Sequence, residues 1–350
     1  MTIARKQIVE ENQIRSYHCT TRCVRRAFLC GQDSISGKNY EHRRQWILER
    51  LTFLSKIFAL DIIGYAVQSN HLHLIMRTRP DLSCAMTDDE VASRWLRLFP
   101  PAVFREVPDW TPTQDMVRTV VLNVDRLVLL RKRLTDLSWF MRCLDERIAR
   151  LANREDQCKG RFWEGRFKSR LLLDEAALLT CLVYVDLNSI RAGEAQTPEQ
   201  SRFTSAYNRI TTCRTTDTIT EDTSQGTTLE TENSLKDSIM QTSSNWLCPL
   251  SDTKARKGAF QSISLKEYLY VLDILGREFH PDKRGAIPLE IKPILHRLSI
   301  ESDSWLKTLE NYDSLFRRIL GRAGRVIEQA RVKGLRWFQG VKACREVFGT

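Results

Sequence analysis

His71-Leu72-His73 sits inside an apolar run that continues through Leu74 and Ile75. On a β-strand, residues two apart share a face, so both imidazoles would project from one side of the pleat. Two neutral imidazoles so spaced suit a divalent cation. A third ligand and a nucleophile must come from elsewhere. Further along, Tyr184 and Asn188 stand four residues apart, which on a helix puts a phenol and a carboxamide on one face. A tyrosine attacks at neutral pH only where a base, a metal or a positive potential offsets its ordinary pKa near ~10. Asn188 offers an oxygen that could complete a two-histidine site, and tyrosine and metal would then share a pocket. Each piece alone has a plainer account: a hydrogen-bonded histidine pair, a core-edge aromatic, a helix-terminal cap. His18 could be near the site or could make a structural hydrogen bond.

The elements that must hold these residues are readable from pattern. Residues 14–23 are rich in strand formers, residues 60–67 form an apolar strand, and Gln68-Ser69-Asn70 turns it back into the histidine strand as an antiparallel hairpin. Trp46, Ile47, Leu51, Leu54 and Ile57 recur at three-and-four spacing, predicting a helix over residues 40–58. A helix is expected over residues 88–99, ending at Pro100-Pro101, and another over 137–153 with Phe140, Leu144, Ile148 and Leu151 on one stripe. Residues 117–130 are apolar without a decisive period. Residues 165–173 predict a strand, after which Asp174 caps a helix running to about Ile190 and carrying Tyr184.

Between Arg150 and Arg170, seven cations and three anions are interleaved with Phe162, Trp163 and Phe167. Guanidinium groups bind phosphates and aromatic faces stack on unpaired bases, so the run suits single-stranded nucleic acid. The chain of 350 residues holds 54 Lys plus Arg against 43 Asp plus Glu, a net charge of +11 that favours a polyanionic partner. No apolar run is long enough to span a bilayer and the first residues lack a signal-peptide core, so a cytoplasmic protein is expected. The ten cysteines show no CxxC pair, which favours reduced thiols. Cys19 and Cys23 beside His18 lack the second ligand pair of a zinc site.

Four motifs in order, His18-Cys19-Thr20-Thr21-Arg22, Asn70-His71-Leu72-His73-Leu74, the run over residues 160–169 and the stretch over residues 184–193, resemble the single-tyrosine HUH transposases, most of all the REP-associated tyrosine transposases. The resemblance covers about residues 14–210. It implies an α+β, ferredoxin-like antiparallel sheet with helices on one face, and chemistry on hairpin-flanked single-stranded DNA with Mg2+ or Mn2+. Carried onto this chain, it makes His71 and His73 metal ligands with Asn188 completing the set, and Tyr184 the nucleophile of a 5′-phosphotyrosine intermediate. Arg161, Trp163, Arg166, Lys168, Arg170 and Arg191 are the expected DNA contacts. Two departures stand out. Asn188-Ser189-Ile190-Arg191-Ala192-Gly193 replaces the common Asn-Pro-Val-Arg-Ala-Gly, and Arg22-Cys23-Val24 replaces Arg-Gly-Asn.

The expected layout is a transposase domain over residues 1–210 with a helical insertion at about 86–136. A linker follows over 211–262, because 16 of the 34 residues from 211 to 244 are Ser or Thr, a composition that favours disorder. Residues 263–350 read as an all-helical region with a basic tail. The expected partner is single-stranded DNA bearing a hairpin, of REP or inverted-repeat type, bound by a monomer or homodimer. The competing expectation is a noncatalytic single-strand or hairpin binder on the same fold.

Overall fold

Alternation in the histidine strand sets the architecture. In β3 (His71–Thr78), Leu72, Leu74 and Met76 alternate with His71, His73 and Ile75. The computed structural model describes residues 12–24, 29–33, 37–195, 197–212, 246–253, 256–261, 263–278, 319–334 and 340–348. There, β3 lies between β2 (Leu60–Val67) and β1 (Ser16–Arg22), antiparallel to both. β4 (Lys168–Leu172) pairs antiparallel with the other side of β1, and β5 (Ile319–Leu320) runs parallel to β4. The sheet order is β2-β3-β1-β4-β5. The protein is thus α+β as expected, but the sheet is mixed rather than wholly antiparallel.

Helices cover both faces, which corrects the expectation of one. α1 (His42–Ile57) buries Ile47, Leu51, Leu54 and Ile57 along its inner stripe. It packs beside α6 (Leu137–Glu155), which Asp136 caps through the backbone N–H of Ser138 and Trp139. The buried Arg43 at the start of α1 donates to Glu155 and Asp156 at 2.6 Å each, locking the two helices together. Thr21 points to the face opposite Thr20 and lies 3.4 Å from the Asp145 carboxylate on α6. α7 (Glu175–Asp186) packs on the histidine face. At Gly64 an added Cβ would stand 2.4 Å from Leu182 of α7 and 3.4 Å from Ile75, so the missing side chain lets the helix approach the sheet.

Between β3 and α6 the chain forms the helices α2 (Pro80–Ala85), α3 (Asp88–Leu98), α4 (Gln114–Val121) and α5 (Val124–Arg133). The ambiguous apolar stretch is two helices, because Asn123 caps α5 by accepting the Arg126 N–H at 3.0 Å. Residues 213–245 of the expected linker lie outside the described residues. The segments 246–253 and 256–261 are not loose, since Cys248 N–H donates to Ile62 O at 2.8 Å and Arg77 donates to Gly258 O at 2.7 Å. Nor is the C-terminal region wholly helical. It holds helices Leu265–Glu278, Ala323–Val332 and Val341–Phe348, but it also supplies β5. Among the described residues, no helix is long and apolar enough to cross a membrane.

Asp61, 2% exposed on β2, gathers Arg77 at 2.7 Å, Arg79 at 3.0 Å and Arg256 at 3.2 Å. Burial alone would raise its pKa, but the charges and hydrogen bonds of Arg77 and Arg79 hold it below the ordinary 3.8. A depressed carboxylate pKa adds stability that is full above the unfolded value and is lost as pH falls through the folded one. Asp61→Asn is expected to cost about 3–5 kcal/mol in urea unfolding at neutral pH, since it strands buried guanidinium charge. The variant should also lose less stability than the parent as the pH is lowered below 3.8.

Candidate active site

Strand register brings the histidines together. Thr20 is paired with His73 and His18 with Ile75, so His18, Thr20, His71 and His73 project from the same face. His18 Nε2 and His73 Nδ1 are 2.9 Å apart, and Thr20 Oγ1 lies 3.4 Å from both nitrogens. His18 and His73 are both 1% exposed, while His71 is half-buried. The His71 and His73 rings are 4.6 Å apart and nearly perpendicular. Burial pushes the His18 pKa well below 6.5, and the Arg170 and His71 charges act the same way, so His18 is neutral at neutral pH.

The tyrosine arrives on a helix whose position is fixed at both ends. Asp174 caps α7 by accepting the Ala177 N–H at 2.8 Å, and its other oxygen accepts the Arg322 N–H at 2.9 Å. Every residue from Ala176 to Asp186 is buried, as in a helix packed on all sides. At the far end the buried Asp186 accepts from Ser205 Oγ at 2.6 Å, Ala206 N–H at 3.0 Å and Tyr268 Oη at 2.6 Å. Burial raises the Asp186 pKa, with Arg209 and these hydrogen bonds opposing the rise. This clamp lies two residues from Tyr184 and two from Asn188. The chain then turns at Leu187 into the short helix α8 (Asn188–Arg191), where Ser189 Oγ lies 3.1 Å from the buried Gln68 Nε2.

The Tyr184 ring, 9% exposed, stands edge-on to His73 at 5.6 Å and to His18 at 6.3 Å. The Arg191 guanidinium lies 5.4 Å from its ring centroid. Asn188 Nδ2 stands 3.2 Å from His73 Nε2. The structure therefore gathers Tyr184, His73, Asn188 and Arg191 in one place, with His71 at its edge.

Hydrogen-bond donors act on the imidazoles from both ends of the row. Asn188 donates its amide N–H to His73 Nε2, which favours a proton on His73 Nδ1 and donation to His18 Nε2. Arg170 Nη1, 3.4 Å from His18 Nδ1, can only donate, and it favours a lone pair there and the reverse direction along the His18–His73 hydrogen bond. His71 Nδ1 meets Asn70 Oδ1, which puts the His71 proton on Nδ1. His71 thus holds the Nε2 lone pair of a ligating imidazole, and both His71 and His73 are oriented by a hydrogen bond at Nδ1.

Among the described residues no group of three or more His, Cys, Asp or Glu forms a cation cage, so any set here is two imidazoles and an amide. Imidazole nitrogen and amide oxygen are donor types that a divalent cation accepts, but here the Asn188 amide nitrogen, not its oxygen, faces His73 Nε2 at 3.2 Å. Turning that amide over would present its oxygen.

One expected DNA contact changes. Trp163 is packed inward, its indole N–H donating to Asp145 O at 2.8 Å, so its ring is a core anchor and not a base-stacking platform. Phe162 and Phe167 are buried with it, whereas Arg161, Arg166 and Lys168 are exposed. Arg170 is half-buried and faces His18. His18 is a member of the constellation and Thr20 joins it. The signal for both was strand parity, since His18 and Thr20 are two apart on a strand predicted to lie in the same sheet.

No protein-family model matches the chain, and no curated protein matches it. Among solved structures, one described as a REP-associated tyrosine transposase bound to a REP hairpin is similar with a TM-score of 0.36 at 11% identity, covering 60% of this chain and 86% of that one. So loose a likeness carries nothing about function, which rests on the residues above.

His18 is expected to remain neutral well below pH 6.5 in metal-free protein. Its lowered pKa contributes stability that is full above 6.5 and is lost as pH falls from there through the folded value. An imidazole NMR titration tests this, and a His18 midpoint at or above 6.5 would contradict the packing described.

Proposed function

We propose that this protein is a DNA strand transferase of the single-tyrosine HUH type, in which Tyr184 cleaves and rejoins single-stranded DNA next to a hairpin. The observation that carries the reading is the convergence of Tyr184, Arg191, Asn188 and His73 Nε2 from β3, α7 and α8. Tyr184 Oη forms a bond to the scissile phosphorus while the bond from phosphorus to the 3′ oxygen breaks. The phenolic proton ends on the departing 3′-hydroxyl, so the exchange is balanced and conserves bond energy. Attack by another 3′-hydroxyl on the 5′-phosphotyrosine reverses the step and joins strands.

His71, His73 and Asn188 would hold a Mg2+ or Mn2+ ion, which when bound supplies electrostatic stabilisation of the charge developing on the phosphate. The chain's own residues do the positioning. Arg191 packs its guanidinium against the Tyr184 ring, and His18 orients the His73 ring through its Nδ1. Asp186 sets the height of the helix end, while Arg161, Arg166 and Lys168 are placed to meet phosphates where the loop enters β4. The order β2-β3-β1-β4, with α6 before β4, supports a ferredoxin-like core. On this reading the transposase domain runs to about residue 210, and the later segments pack onto it as accessory structure. The hairpin partner comes from the motif resemblance.

Incubation with labelled hairpin-flanked single-stranded DNA and Mn2+ is expected to yield a covalent adduct on denaturing gels. Tyr184→Phe should abolish it while leaving DNA affinity nearly unchanged. Tight binding without adduct under any divalent metal would instead favour the noncatalytic binder.

Mn2+ titration calorimetry gives a separate check. His73→Ala should remove binding, and His18→Phe should weaken it about 10–100-fold, the usual effect of losing the group that orients a ligating histidine. Unchanged Mn2+ affinity in both variants would exclude this ligand set.

A further inference from the structure

The outer side of α6 carries a second nucleic-acid feature. Between it, the end of α3 and the segment over residues 99–110 runs a groove of about 880 Å3, lined by seven arginines against three carboxylates and by five Phe or Trp rings besides Trp95. One of those carboxylates, Glu146, is already taken by Arg142 and Arg150. Arg105, Arg147 and Arg154 are exposed, and among the described residues no ion pair engages their guanidinium groups. Phe104 and Trp110 stack at 5.1 Å with only 16° between their planes, and Trp139 lies between Arg133 at 4.4 Å and Arg142 at 5.1 Å. Rings serving only to staple the insertion to α6 would be buried in apolar contacts. Here Phe104, Trp110 and Trp139 remain partly exposed, and Phe99 is 45% exposed.

We propose that this groove is a second, noncatalytic binding site for single-stranded DNA, with arginines on the phosphates and rings under the bases. Unpaired strands present both groups at once, whereas a duplex hides its base faces. The net positive lining selects a polyanion over a peptide or a neutral ligand. α6 covers the sheet face opposite α7, so the groove is separate from the Tyr184 pocket and holds DNA away from the scissile phosphate. The choice of DNA as the polyanion rests on the Tyr184 reading; the groove and its charge do not.

The test is fluorescence anisotropy of the full chain with labelled oligothymidylate, without divalent metal. The double variant R147E/R154E is expected to weaken binding at least ~10-fold, and R147Q/R154Q by less. Each should lower the slope of log affinity against log salt by about 1.4, because two phosphates of a single strand are no longer neutralised. Trp110→Ala should weaken binding by roughly tenfold through the loss of stacking. Arg126→Glu on α5, outside the groove, should leave binding unchanged, which separates a site from general charge. Circular dichroism confirms that each variant is folded.

Wild-type affinity in the groove variants, an equal loss in Arg126→Glu, or a preference for oligouridylate or anionic vesicles would overturn the proposal. The two readings separate in the adduct assay. Groove variants should still form adduct at saturating hairpin DNA. Groove-dependent binding without any adduct would sink the Tyr184 chemistry and leave the groove standing.

Discussion

The register between β1 and β3 is the constraint on which the site depends. Pairing Thr20 with His73 and His18 with Ile75 puts four polar side chains on one face and leaves Tyr17, Cys19, Leu72 and Leu74 for the other. A one-residue slip would reverse every side chain, burying imidazoles against α6 and turning apolar residues toward Tyr184. The apolar half of each strand therefore positions the histidines by excluding the alternative.

Holding the second half of the site is a problem of buried polarity. α7 is apolar on every side and could rotate or slide among apolar neighbours without a directional contact. Asp186 provides that direction, because three donors from two other segments converge on one buried carboxylate. Buried polar groups of this kind fix geometry more surely than they add stability. Gln68, in the hairpin turn beside the histidine strand, does the same for Ser189 on α8. The turn before the metal-ligand candidates and the helix after the nucleophile candidate are thereby tied together.

Much of this was legible because local pattern and tertiary role agree. The bounds of β2 coincide with the apolar run over residues 60–67, and Asp174 caps α7 as its position suggests. Tyr184 and Asn188 meet the histidine face although the helix breaks at Leu187, since the break preserves helical backbone angles. What escaped depends on long-range packing. The role of Trp163 turned on Asp145 lying beneath it, 18 residues away, which a basic and aromatic composition does not encode. The two-residue β5 is too short for any periodicity, and its pairing partner is 148 residues upstream. Arg256 reads as one more surface cation until Asp61 appears beside it.

The late-arriving segments also finish the sheet. β5 runs along the outer side of β4, and Leu247 bridges to Ile62 on β2 at the opposite margin. Unpaired backbone at a sheet margin is a template for another chain, and proteins guard it against aggregation. Here β5 and Leu247 come from beyond the Ser/Thr-rich stretch, whereas Thr204, which precedes it, bridges Ala66 on the same outer edge of β2. The outer side of β4 is thus the border that depends on the last third of the chain, and without β5 it would present bare strand.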